Sequence, residues 1–356
     1  MAATNTHSCT SPFKTVPDDV QQRVLLAVPL EDHRAAASVC RAFRAVIEGP
    51  RFPALRRVHG FAERGIVIAG SDYFRPEDDN AERILRICMG HKSGVLTSIP
   101  GNLSMTGSTT DGCTRLFACN RLSGAPNQIL AVDVSSRRWR RIATLPDRDQ
   151  HLHCMEWHGG LLYVAGGSGS ECTPATGYLN SLHVFNEATG LWEDRPPMPR
   201  GCILATSGVI GNQLFVVGGS NYGEEPGSVT RLTTQIYDIA ARAWRLGAPP
   251  PKSSCGIAGL VLDAKLFMLH HENPVVYDPQ FDTWTDLPGS EVPWSSGRNV
   301  RHACVHDGRI VVFLSNHTAF QRASDEPWSP CAYEDRIERM EEIYMPSFVS
   351  ESVFLG

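Results

Sequence analysis

The sequence predicts a mainly β protein assembled from repeated four-stranded units, with a short all-α segment ahead of them. Three observations carry this reading. First, an apolar residue followed by Asp or Asn recurs seven positions before a tryptophan: Val132-Asp133 with Trp139, Phe185-Asn186 with Trp192, Tyr237-Asp238 with Trp244 and Tyr277-Asp278 with Trp284. Second, a double glycine closes an apolar run upstream of two of them, Gly167 and Gly219 each preceding its tryptophan by 25 residues. Third, each unit ends at a proline, in Leu145-Pro146, Met198-Pro199, Pro249-Pro250-Pro251 and Leu287-Pro288. Successive tryptophans lie 53, 52 and 40 residues apart, so insertions fall in loops while the inner spacing holds.

Each unit reads as four strands, which around Gly219 are Cys202–Val209, Gln213–Val217, Thr234–Asp238 and Ala243–Leu246. Paired glycines let the backbone bend and approach a neighbour closely at the end of the second strand. The Asp or Asn before the turn can bond its own backbone, and the tryptophan is a plate suited to packing between adjacent sheets. Four strands at a period of 40 to 53 residues describe a propeller blade.

The double glycine with spaced Tyr and Trp resembles the kelch repeat, over roughly residues 60 to 356. The resemblance implies a kelch β-propeller over 61–356, with six blades of four strands starting near residues 61, 101, 147, 200, 252 and 298; five or seven also fit. The pattern weakens at the ends. Residues 61 to 100 lack the tryptophan, and His270-His271 stand where the double glycine belongs. The first blade lacks an inner strand that the tail Ser350–Leu355 can supply, which leaves no sheet edge open.

Residues 15 to 57 carry helical punctuation. Thr15 and Asp18 are spaced as an acidic capping box, Pro17 suits a first turn, and Asp18 and Asp19 complement the helix dipole. Val20, Val24, Leu25 and Val28 make one apolar stripe, and Pro29 stops that helix. Asp32 is placed to cap a second helix, with Ala35, Ala36, Val39, Phe43, Val46 and Ile47 facing inward before Gly49-Pro50. About forty residues bury too little surface to stand comfortably alone, so a partner is expected on the apolar face. The order Val16-Pro17-Asp18-Asp19-Val20, Leu25, Val28-Pro29, Val39-Cys40-Arg41-Ala42-Phe43-Arg44 and Phe52-Pro53-Ala54-Leu55-Arg56 resembles an F-box. Val16 replaces the usual Leu, and Phe43 the common Trp. The resemblance implies docking to a Skp-type adaptor of cullin ligases through Pro17, Asp18, Val20, Leu25, Val28, Pro29, Val39 and Phe43. Residues 1–14 are read as a disordered tail.

Composition bounds the rest. At 42% apolar and 20% charged residues the chain is an ordinary globular protein, and a net charge of −5 gives no global field for nucleic acid or anionic lipid. The run Arg137-Arg138-Trp139-Arg140-Arg141 falls in a repeat strand and reads as an exposed strand face. Eleven cysteines without a Cys-x-x-Cys pair are expected to be free thiols, and with no signal peptide or apolar span the expected address is cytoplasm or nucleus.

No catalytic, cofactor or metal site is expected. His151, His153 and Cys154, with His158 nearby, resemble ligands at first, but Cys154 points away from the histidine face and no second half with ligand spacing follows. Recognition instead falls to long insertions between second and third strands, at Ser168–Asn180, Ser220–Thr233 and Ser315–Glu334. Tyr178, Asn221, Tyr222, Arg231 and Trp328 are the candidate contacts, because Tyr, Trp and Arg dominate interface energetics. The combined resemblance, to F-box/kelch-repeat proteins best represented in land plants, implies the substrate-recognition subunit of an SCF-type ubiquitin ligase. Adaptor, cullin and RING subunits and a target protein are the implied partners, without nucleic acid or membrane. A kelch scaffold unconnected to ubiquitin, or a ligand-binding propeller enzyme, are the alternatives.

Overall fold

The structure is a computed structural model that describes residues 16–29, 32–49, 51–59, 61, 63–70, 82–89, 92–100, 102–112, 114–121, 126–134, 136–147, 149–173, 176–220, 233–251, 258–269, 274–287, 300–314, 319–323, 326–331 and 346–355. The chain forms two compact units, residues 1–63 with 354–356, and residues 64–353. The expected tail 1–14 and the pair His270-His271 lie outside the described residues.

Among the described residues the first unit holds four short helices, α1 (Asp18–Ala27), α2 (His33–Val39), α3 (Arg41–Ile47) and α4 (Phe52–Val58). Their shared core is Leu25, Leu26, Phe43 and Phe52, ringed by Cys40, Val46, Ile47 and Leu55. The helical punctuation differs in detail from expectation. Pro17 is itself the N-cap of α1, and neither it nor Asp32 makes a side-chain cap bond. Asp32 has helical φ and ψ, so its carboxylate is not set back over the free N–H groups. The expected single second helix breaks at Cys40, whose extended backbone (φ −158°, ψ 166°) separates α2 from α3. Arg56 is 1% exposed and ties the unit together, its guanidinium bonding the carbonyls of Val28 and Phe61 and meeting the ring of His33. His33 in turn stands edge-on to Phe52, with ring centroids 5.3 Å apart.

The second unit is a β-propeller with four-stranded blades. Its composite sheet contains β1 (Glu63–Gly70), β2 (Glu82–Met89) and β3 (Lys92–Pro100). Five blades then follow continuously. They are β4 (Asn102–Thr110), β5 (Arg115–Arg121), β6 (Gln128–Asp133) and β7 (Arg138–Thr144); β8 (Cys154–His158), β9 (Leu161–Ala165), β10 (Leu182–Asn186) and β11 (Leu191–Arg195); and β12 (Thr206–Ile210), β13 (Gln213–Val217), β14 (Thr234–Asp238) and β15 (Ala243–Gly247). The last two are β16 (Gly259–Leu262), β17 (Lys265–Met268), β18 (Val275–Asp278) and β19 (Thr283–Asp286), then β20 (Val300–His306), β21 (Arg309–Leu314), β22 (Ala319–Arg322) and β23 (Ser329–Pro330). The blades continuous in the chain therefore number five, one fewer than the six counted from the landmarks. The remaining sheet runs β24-β1-β2-β3, with β24 (Pro346–Leu355) hydrogen-bonded along β1.

Apolar cores lie between blades. Phe117, Cys119, Ile129 and Ala131 of the β4–β7 blade pack on Met155, Leu162, Val164 and Phe185 of the next. Equivalent clusters join the β8–β11 blade to β12–β15, that blade to β16–β19, and that one to β20–β23.

Each sequence landmark has a physical cause. The seven-residue spacing is a cross-strand pair: Val132, Phe185, Tyr237 and Tyr277 stand directly opposite Trp139, Trp192, Trp244 and Trp284. In three of these pairs the ring centroids are 5.0 to 5.1 Å apart with planes tilted 41° to 48°. The Asp or Asn side chain accepts a turn N–H in every case, from Ser136, Ala188, Ala241 and Gln280. The double glycines are fixed by both conformation and space. Gly167 has φ 105° and Gly219 φ 83°, and a Cβ would lie 2.7 Å from the His151 carbonyl oxygen or 2.5 Å from that of Ile203.

Strands β13 and β14 match the sequence reading residue for residue. The first strand of that blade starts at Thr206 rather than Cys202, because Leu204 adopts φ 53° and interrupts the extended run. The third expected insertion, Ser315–Glu334, is not one loop, since β22 and β23 lie within it.

Candidate functional site

Two surfaces are candidates: the outward face of the helical unit, and the end of the propeller carrying the loops between second and third strands. On the helical unit the predicted stripe divides. Leu25 and Phe43 are 2% and 8% exposed and belong to the unit's own core, as does Leu26, which the stripe omitted. Val20 and Val24, one turn apart on α1, are 42% and 48% exposed, and Val39 at the end of α2 is 60% exposed. Pro17, Asp18 and Pro29 are exposed, and Val28 is half-buried with its carbonyl held by Arg56. The buried members hold the helices together, while the exposed valines and Pro17 leave apolar surface in solvent. Burying a half-exposed valine gains roughly 1 kcal/mol, so this face favours a partner.

On the propeller, Tyr178 is half-buried in the β9–β10 loop, and its carbonyl crowds Gly201, where a Cβ would lie 2.0 Å away. The loop is ordered by Thr173 and Thr176, whose hydroxyls and backbone N–H groups exchange bonds at 2.8 to 3.2 Å. Asn221, Tyr222 and Arg231 lie outside the described residues. Trp328 is displaced from the expected loop. It directly precedes β23 and packs half-buried on the core shared by the last two blades, with the Arg322 guanidinium 5.4 Å from its ring centroid. That setting makes it a packing residue.

Sequence reasoning missed what the tryptophans do beyond packing. The indole N–H of Trp192 donates to the Thr144 carbonyl at 2.9 Å, Trp244 to Pro196 at 2.7 Å and Trp284 to Ala248 at 2.9 Å. Each ring thus fastens its blade to the end of the last strand of the one before or to the residue just past it, leading into the proline landmark. An acceptor backbone carbonyl some 36 to 48 residues upstream leaves no side-chain signal to find.

The polar groups offer little chemistry. His153 is 1% exposed, neither ring nitrogen has a hydrogen-bond partner among the described residues, and burial, reinforced by nearby His151, lowers its pKa to about 4. It is an uncharged ring wedged against the neighbouring blade, where a Cβ on Gly107 would meet its Nε2 at 2.6 Å. Burial pushes the Cys202 thiol up to about 12 and the Cys154 thiol higher, so neither supplies a thiolate. His183 resembles a catalytic base but is clamped by two carboxylates, Asp194 at 2.7 Å and Asp147 at 3.2 Å. Ser181 donates to Asp147 rather than to the imidazole, which leaves no nucleophile–base pair there. Among the described residues no group of three or more His, Cys, Asp or Glu is placed to hold a metal.

Comparison with known proteins matches residues 14–55 to the F-box domain model and residues 151–199 to the kelch motif model. An F-box/kelch-repeat protein of Arabidopsis thaliana is 26% identical over 287 residues, covering 76% of this chain and 70% of the relative. The chain is similar to F-box/kelch-repeat proteins. A second Arabidopsis F-box/kelch-repeat protein is 22% identical over 84% of the chain and 68% of its own length. Human Kelch-like protein 34 is 24% identical over 54% of the chain, which spans about a third (32%) of that protein.

Proposed function

We propose that this protein is the substrate-recognition subunit of an SCF-type cullin-RING ubiquitin ligase. The exposed face of the helical unit docks a Skp-type adaptor, and the propeller holds a target protein. The observation that carries the reading is the apolar surface left in solvent at Val20, Val24 and Val39 on a helical unit whose core is already satisfied by Leu25, Leu26, Phe43 and Phe52. Its position within the matched F-box segment supports an adaptor as the occupant.

The mechanism is proximity without covalent chemistry in this chain. Adaptor and cullin bring a RING-bound conjugating enzyme to one side, and the propeller presents lysines of the target to it. Catalysis therefore asks only that both surfaces be occupied at once. The second and third strands' connecting loops, Tyr178 among them, are the proposed target contacts, together with Asn221, Tyr222 and Arg231. The six sheets are read as one ring in which β24 completes the blade of β1, β2 and β3. The compartment proposed for this role is cytoplasm or nucleus.

The test is purification of the full chain with its partners from cells with the proteasome blocked, against a Val20→Asp/Val24→Asp variant. Both positions are exposed, so the helical core survives the change, whereas substitution of Leu25 unfolds it. Adaptor and cullin are expected with the wild type and at least ten-fold depleted with the variant. Equal recovery from both overturns the reading and favours a kelch scaffold unconnected to ubiquitin.

A further inference from the structure

Trp139 is an exception among the landmark tryptophans. Trp192, Trp244 and Trp284 are half-buried and fasten blade to blade, whereas Trp139 is 37% exposed and its indole N–H makes no hydrogen bond among the described residues. It sits in β7, the last strand of its sheet in the order β4-β5-β6-β7, so among the described residues one side of β7 has no pairing strand. Arg137, Arg138, Arg140 and Arg141 surround it, all exposed.

The repeat supplies an internal control. At the four positions two before, one before, one after and two after the tryptophan, the next blades carry Gly190, Leu191, Glu193 and Asp194; Arg242, Ala243, Arg245 and Leu246; and Asp282, Thr283, Thr285 and Asp286. Formal charge there is −2, +2 and −2, against +4 around Trp139. The fold asks for no arginine at these places, and at the first of them it charges a penalty: Arg137 holds φ 57° where the next blade has Gly190 at φ 71°. Little of the charge is answered within the molecule. Glu187 pairs with Arg140 at 2.5 Å and is shared with Arg115 at 2.6 Å, while Arg137, Arg138 and Arg141 make no ion pair among the described residues. Just ahead of β15, by contrast, Arg242 is answered by Glu193 of the preceding blade at 3.1 Å.

We propose that the β7 edge, Arg138 to Arg141 with Trp139 at its centre, is a docking strand for an acidic, extended segment of a partner protein. Three features select that occupant. The free backbone edge accepts another strand, and Arg138 to Arg141 is regular, since the bulge in the β6–β7 ladder comes after Arg141. Unanswered guanidiniums on both faces of the strand match carboxylates on both faces of an incoming one. The same charges repel a second copy of this edge, so the strand refuses itself and admits an acidic partner. A nucleic acid fits less well, because it has no main chain to pair with the edge and the chain as a whole carries −5. Charged residues that merely guard an edge against aggregation would not need an exposed tryptophan among them.

The experiment uses the full chain without an adaptor, so its outcome does not depend on the ligase reading. A fluorescein-labelled octapeptide of alternating Glu and Thr is titrated by anisotropy. Its Lys–Thr counterpart, the Glu–Thr peptide N-methylated at alternate residues, and a single-stranded oligonucleotide serve as comparisons. The variant Arg138→Thr/Arg140→Thr/Arg141→Asp gives β7 the flanks that β19 already tolerates, so folding is preserved and is checked by circular dichroism. Binding of the Glu–Thr peptide is expected to weaken at least ten-fold in the variant and on N-methylation, and to fall with added salt. The Lys–Thr peptide is expected not to bind. Equal binding to wild type and variant, or an oligonucleotide that binds more tightly than the peptide, overturns the proposal. Loss of adaptor capture with peptide binding intact removes the ligase reading and leaves this surface standing.

Discussion

Replacing His153 tests the reading that its ring is buried and uncharged. In the folded protein its pKa lies at about 4, against an ordinary value of 6.5. The folded state therefore declines a proton that the unfolded chain accepts anywhere between those values. Stability from this group is complete above pH 6.5 and is lost as pH falls toward 4, with a slope of about 1.4 kcal/mol per pH unit. Between pH 7 and pH 5 that amounts to about 2 kcal/mol, and the full span to roughly 3 kcal/mol. Other groups titrate over the same range, so the informative quantity is the difference between wild type and His153→Leu. Urea unfolding of both at pH 7, 6, 5 and 4.5 is expected to show the gap moving in favour of the variant by about 2 kcal/mol from pH 7 to 5. His153→Gln, which also lacks a titrating ring, is expected to follow the same trend. Parallel stability curves for wild type and both variants would refute the reasoning, since they require a ring that is protonated as easily in the folded protein as outside it.

Trp244→Phe keeps a ring beside Tyr237 but removes the bond to the Pro196 carbonyl, and is expected to cost about 1 kcal/mol in chemical denaturation. Trp139→Phe, with no such bond to lose, is expected to change stability by only a few tenths of a kcal/mol, and an equal loss in the two variants would remove the fastening role. Ala264 adopts φ 56° in the β16–β17 turn, so Ala264→Gly is expected to raise stability by about 1 kcal/mol, read as a higher midpoint of thermal unfolding. Gly219→Ala is expected to do the reverse, by more than about 2 kcal/mol, because its Cβ meets the Ile203 carbonyl; a neutral outcome would show that the β-turn backbone relaxes freely.

Most of the propeller was legible in the sequence because its signals are local. The seven-residue interval spans one hairpin, and the turn residue bonds within three positions of itself, so a linear reading recovers both. The tail's place beside β1 was legible for a different reason: an all-β repeat with one strand missing at its start needs one from elsewhere. What escaped depends on contacts far apart in sequence. Trp328 follows no interval and was assigned to a loop, while its neighbours Arg322 and the last two blades' core make it part of the packing. The apolar stripe of α1 gave the residues but not their sides, since Val24 and Leu25 are adjacent in sequence yet one faces solvent and the other the core. Nothing local in the sequence marks Arg56 as the residue on which the carbonyls of Val28 and Phe61 converge.

The pairing of β24 with β1 also sets an order of events during synthesis. Strand β1 leaves the ribosome early and then waits for nearly the whole propeller to be translated before its neighbour exists. At cellular elongation rates of about 5–20 residues per second that is a wait of many seconds, during which an unsatisfied strand edge is on offer to any passing chain. A nascent propeller of this design is therefore most exposed to chaperones and to misassembly just before it is finished, and a chain stopped short of Pro346 keeps that exposure for life.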